Sequence, residues 1–123
     1  MNQTVLLSTP LEHAATRHEG SDIGDVPIDS ICDWVRLFII PQKTFNTRHT
    51  SYGLKHYAEK FFNSYITNTG IKIAMIRCGY VPKNENELNW IFRISERSPC
   101  MAMNGKEVCN MYNHYFSHRE ENT

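Results

Sequence analysis

The sequence predicts an α+β fold, a small helix-rich single domain with a helix–turn–helix-like centre and a small β-sheet. Three observations lead there. Segments 50–62 and 68–79 each carry apolar residues at helical spacing, with a polar turn between them. "LNWIFRIS" (88–95) alternates apolar and polar, the pattern of a half-buried strand. At 123 residues, the chain fits one domain with a modest core.

Residues 1–28 read as a flexible N-terminal arm. They hold Pro10, Gly20, Gly24 and Pro27, few periodic hydrophobes, and one short element near "LEHAATRH". The globular domain is expected over 29–123. "DSICDWVRLFII" opens it, with Ser30 and Asp33 spaced as a capping box and Ile31, Trp34, Val35 and Phe38 at helical spacing. Pro41 ends this segment.

Thr50 or Ser51 can cap the next helix, "SYGLKHYAEKFF". Its apolar stripe is Leu54, Tyr57, Ala58 and Phe61, and Lys55, His56, Glu59 and Lys60 fall outside it. Tyr52, Gly53 and Leu54 read as packing residues. "NSYITNTG" is the turn, and Thr67 or Asn68 can cap the helix that follows. In that helix Ile71, Ala74, Met75 and Cys78 form the buried stripe, Lys72 and Arg77 face outward, and Gly79 suits a left-handed stop. Strand 88–94 needs a partner for its backbone, and "RLFII", "KTF" and "CMAM" are candidates. "KEVCNMYNHYFSHRE" places Val108, Met111, Tyr112, Tyr115 and Phe116 on one stripe, a C-terminal helix over about 106–118.

Net charge is zero, but the charges are segregated. Residues 36–83 hold eight bases and one acid, Glu59, whereas residues 1–33 hold six acids and one base. A middle segment of this sign can present a basic face to phosphate. As a helix–turn–helix, Asn68 and Lys72 would begin the reading helix, while Arg48, Lys55, His56 and Lys60 would hold phosphates. A second partner surface is Tyr112, Tyr115 and Phe116, a route to a protein partner or a homodimer through the C-terminal helix.

Other chemistries find less support. Cys100, Cys109, His114 and His118 give C-x8-C-x4-H-x3-H, but the cysteine spacing is not that of a zinc knuckle, so no metal site is expected. No Walker-type loop, G-x-G-x-x-G or paired-carboxylate signature appears, so neither enzyme activity nor a cofactor is expected. The four cysteines form no C-x-x-C, and Cys32 and Cys78 sit in apolar patterns as small buried hydrophobes with reduced thiols. No apolar run is long enough for a membrane span, and the N-terminus lacks the basic and apolar regions of a secretory signal.

A pattern runs through residues 32–95: "DW", a Pro-ended apolar stretch, "SYGLKH", "YITN", "GY" and "NWIF". It uses Asp33, Trp34, Pro41, Asn46, Arg48, Ser51 to His56, Glu59, Tyr65 to Asn68, Ala74, Gly79, Tyr80, Asn89 and Phe92. This resembles a group of small proteins from bacteriophages and integrative elements, which usually show a bulky aromatic where Ile71 stands. The resemblance implies an accessory protein made in the cytoplasm of a bacterial host. It implies action by binding, to nucleic acid or to a host nucleoprotein or defence complex in the manner of an anti-CRISPR inhibitor.

Overall fold

Thr9 opens the first helix. Its hydroxyl accepts the Glu12 N–H at 3.2 Å, and Pro10 takes the first helical position, where no N–H is needed. The computed structural model describes residues 3–102. Within it α1 spans Pro10–Ala15, α2 Ile28–Phe38, α3 Ser51–Phe62, α4 Asn68–Arg77 and α5 Pro99–Ala102.

α2 starts earlier than the Ser30 capping box suggests. Pro27 is its N-cap, without a side-chain cap bond, and Asp29 lies in the first turn, where the helix dipole favours an acid. Ile31, Cys32, Trp34, Val35 and Phe38 are buried as the spacing predicts. α3 ends at Asn63, whose left-handed backbone (φ 51°) reverses the chain. Thr67 caps α4 by accepting the Gly70 N–H at 2.9 Å.

α4 is the centre of the molecule. α1, α2 and α3 all pack on it, and every residue from Asn68 to Met75 is buried. This corrects the expected helix–turn–helix: a reading helix needs one open face for a DNA groove, and α4 has none over that span. Thr69 illustrates why polar residues fit there. Its hydroxyl donates to Gly20 O at 2.8 Å, so burial leaves it satisfied.

The expected small β-sheet is also corrected: among the described residues there is no strand, only isolated antiparallel bridges such as Pro41 with Ile94. Segment 88–94 keeps its alternation from Trp90 onward, while Leu88, expected on the buried face, is exposed. Trp90, Phe92 and Ile94 are fully buried, and Arg93 is exposed. Its backbone bonds instead go to an irregular stretch: Ser51 N donates to Trp90 O, Asn46 N to Phe92 O and Gln42 N to Arg93 O. The Asn46 side chain supplies a further donor, to Ile94 O at 3.1 Å. A partner that bends between 42 and 51 satisfies the segment without a continuous ladder.

The stretch expected to be a loose arm is packed from residue 3 onward. Ala14, Ala15, Ile23 and Val26 join the core. Gln3 N donates to Gly24 O at 3.1 Å and Ile23 N to Gln3 O at 2.8 Å, and Thr67 N donates to Ile23 O at 3.2 Å. Two glycines permit the approach. A Cβ at Gly70 would lie 2.6 Å from Ile23 O, and one at Gly24 (φ +95°) 2.6 Å from Tyr65 O. No helix among the described residues is long and apolar enough to cross a membrane. The expected helix over 106–118, with Tyr112, Tyr115 and Phe116, lies outside the described residues, as do Cys109, His114 and His118.

Candidate nucleic-acid interface

The six basic or polar residues singled out from the sequence divide three ways. Asn68 and Lys72 are buried in α4, 2% exposed each. The Asn68 amide donates to Leu88 O and to Asn89 Oδ1, tying α4 to the 88–90 segment. The Lys72 ammonium lies 4.7 Å from the centroid of the Trp90 ring. Burial holds its pKa below the ordinary lysine value, partly opposed by the Glu19 charge. Neither residue is placed to meet a phosphate.

Lys55 is structural. Its ammonium bonds Glu59 Oε1 at 3.1 Å and Ile66 O at 3.2 Å, and it sits near the faces of Tyr52 and Tyr65. Glu59 completes the clamp by accepting the Ile66 N–H on its other oxygen at 3.2 Å. The turn between α3 and α4 is fastened through this pair.

Arg48, His56 and Lys60 come together. All three are exposed, and all line one open cleft of about 390 Å³ along α3. Gly53, His56, Tyr57 and Lys60 recur at three- and four-residue spacing, so they share one helix face. Arg48, His49 and Thr50 form the end of the cleft where the chain enters α3. Among the described residues no carboxylate lines it. Glu59 holds His56 from the side at 3.0 Å, and Glu96 holds His49 at 2.9 Å.

Asn46 sets the position of Arg48. Its side-chain oxygen accepts the Arg48 N–H at 2.9 Å, while its amide nitrogen donates to Ile94 O and, at 2.8 Å, to Glu96. The bonds from Asn46 and His49 hold the Glu96 carboxyl below its ordinary pKa, so it stays anionic and fixes the His49 ring. Aromatic groups complete the cleft. Tyr52 is 51% exposed and meets His56 edge to face at 4.6 Å. Tyr57, expected on the apolar stripe, is half-buried and faces His49 at 6.1 Å.

Tyr52, Tyr57 and His49 were not legible as site residues. The available signal was the face that Tyr57 shares with Lys60 and Gly53, which the apolar stripe through Leu54 and Phe61 concealed. Among the described residues no group of three or more His, Cys, Asp or Glu side chains is arranged to hold a metal. No family model, curated protein or solved structure matches this chain.

Proposed function

We propose that this is a non-enzymatic nucleic-acid-binding accessory protein that engages single strands through the α3 cleft. One observation carries the reading: Arg48, His56 and Lys60 converge on a cleft that also presents Tyr52 and Tyr57, with no carboxylate among its described lining residues. Cations along a groove meet backbone phosphates, and exposed aromatic faces accept bases by stacking, a combination that tolerates any sequence. Burial of α4 from Asn68 to Met75 speaks for this mode over major-groove reading.

The test is a fluorescence-anisotropy titration with mixed-sequence single-stranded DNA, double-stranded DNA and RNA at two salt concentrations. Two charged phosphate contacts, from Arg48 and Lys60, give a log–log salt slope of about −1.4 on a single strand. Arg48→Ala with Lys60→Ala should abolish most of that slope, while Lys83→Ala, outside the cleft, should leave affinity within about twofold. Equal, salt-insensitive or absent binding in all arms would refute the reading and direct the search to a protein partner.

A further inference from the structure

A second cleft lies between the C-terminal end of α4 and the stretch after α2. It encloses about 380 Å³ and is lined by Pro41, Gln42, Cys78, Gly79, Tyr80, Val81 and Arg93. That volume is within the range of small-molecule sites. Cys78 is the reactive group in it. The sequence places this residue among buried hydrophobes, yet it is half-exposed at the C-cap of α4.

Cys78 has a thiol neighbour. Its Sγ lies 3.5 Å from the carbonyl oxygen of Cys32 on α2, and the Cys32 Sγ turns toward Ala74 O, the carbonyl that also accepts the Cys78 N–H. Each thiol is directed at a backbone carbonyl, and the Cys78 thiol reaches the backbone of Cys32 itself, so the two cysteines are neighbours across the α2–α4 contact. Cys32 is fully inside the core and Cys78 opens to the cleft, so the pair has one accessible member and one hidden member.

We propose that Cys78 and Cys32 form a thiol–disulfide exchange site: Cys78 reacts with a small tripeptide-type disulfide such as oxidised glutathione, and Cys32 resolves the adduct. The Cys78 thiolate attacks one sulfur of the small disulfide. A Cys78–glutathione bond forms, the glutathione S–S bond breaks, and one glutathione thiolate leaves and takes up a proton. Cys32 then gives up its proton to solvent and attacks Cys78 Sγ. The Cys32–Cys78 bond forms as the second glutathione thiolate leaves. Two electrons pass from the protein thiols to the small disulfide, so no other oxidant is needed.

The surroundings fit this order of events. The neighbouring Cys32 thiol lowers the Cys78 thiol below its ordinary pKa against the effect of burial, with the Arg36 charge adding to it and the Asp33 charge opposing it. The Cys78 thiol and burial push Cys32 up, so Cys78 is the member of the pair that ionises first. Capping Cys78 removes its influence on Cys32, an influence that raises the Cys32 thiol in the reduced pair. Arg93, exposed on the far side of the cleft and stacked 4.1 Å from the Phe45 centroid, offers a cation to a tripeptide carboxylate. Cys100 is buried, its thiol pushed up to about 12, and is a poor competitor.

The experiment treats reduced full-length protein with oxidised glutathione, quenches with acid, and maps modified peptides by mass spectrometry without reduction. Wild type should yield the Cys32–Cys78 cross-linked peptide, reversed by dithiothreitol. Cys32→Ser should stop at a single glutathionyl adduct on Cys78, and Cys78→Ser should lose the reaction at Cys32. A wild-type map in which Cys100 or Cys109 is modified first, or in which Cys32 and Cys78 never join, overturns the proposal. The wild-type map needs no variant to fold. Arg93→Ala should slow the first step several-fold with oxidised glutathione and leave the rate with uncharged hydroxyethyl disulfide unchanged. Equal slowing with both reagents would remove Arg93 from the site.

Discussion

The Arg77 guanidinium, at the end of α4, holds the buried Glu12 of α1 through two nitrogens on one carboxylate oxygen, at 2.9 and 3.3 Å. Ser8 caps the other oxygen at 2.9 Å. Arg77 also donates to Leu6 O, so one side chain fastens both α1 and the segment before it. Burial pushes the Glu12 carboxyl up, but the Arg77 and Ser8 bonds outweigh it and hold the group below its ordinary value.

This linkage has a defined sign. A carboxyl whose folded pKa lies below its unfolded value contributes stability that is complete above the unfolded value and lost as pH falls through the folded one. Urea denaturation should therefore show a midpoint that drops below about pH 4.5. Glu12→Gln should lower stability at pH 7 by about 1–3 kcal/mol and flatten that acid dependence. A Glu12→Gln variant as acid-sensitive as wild type would show that another carboxylate is responsible.

Lys72 gives the opposite kind of result. Its ammonium is desolvated in the core, and the Trp90 face and the Glu19 charge offset part of this. Lys72→Met keeps the volume and removes the desolvation cost at the loss of a cation–π contact, so urea stability should stay within about 1 kcal/mol of wild type. Lys72→Glu should cost about 3 kcal/mol or more, since it buries an unpaired anion. Nucleic-acid affinity of Lys72→Met should match wild type. A tenfold loss with an intact fold would mean that Lys72 reaches the ligand.

Two helical glycines should respond in opposite directions to alanine. Gly53 faces open space, so Gly53→Ala should raise stability by about 0.5–1 kcal/mol through helix propensity and a less flexible unfolded chain. Gly70 meets the Ile23 backbone, which cannot swing away like a side chain. Gly70→Ala should lower stability by about 1–3 kcal/mol despite the same gain in propensity. Thermal melts of both variants decide this, and a stabilised Gly70→Ala would refute the close approach.

The contrast between α3 and α4 explains how much of the molecule was legible. α3 has one apolar stripe and one polar face, so spacing located both the helix and the cations of the cleft. α4 is surrounded, and a helix buried all round has no polar face for periodicity to detect. Asn68, Thr69 and Lys72 looked outward only because their residue types usually do; their partners, such as Gly20 O and Leu88 O, come from segments remote in sequence. Residues 3–26 failed for a related reason. Ala14, Ala15, Ile23 and Val26 follow no period, and only the shape of α4, with Gly70 at its start, creates a place for them. In segment 88–94 the alternation marked the burial of Trp90, Phe92 and Ile94 but not the exposure of Leu88. Whether a ladder forms depends on the partner, and Pro41 and Asn46 make that partner irregular.

The central position of α4 also orders events in time. Synthesis delivers residues 3–26 before α4, yet α4 supplies part of the surface that receives them. Until α4 is made, Ile23 lacks the Gly70 surface against which it packs. Docking residues 3–26 onto α4 therefore joins segments far apart in sequence, a long loop closure that slows assembly. A bulky fusion at the N-terminus would burden that closure, whereas one placed after residue 102 would follow it.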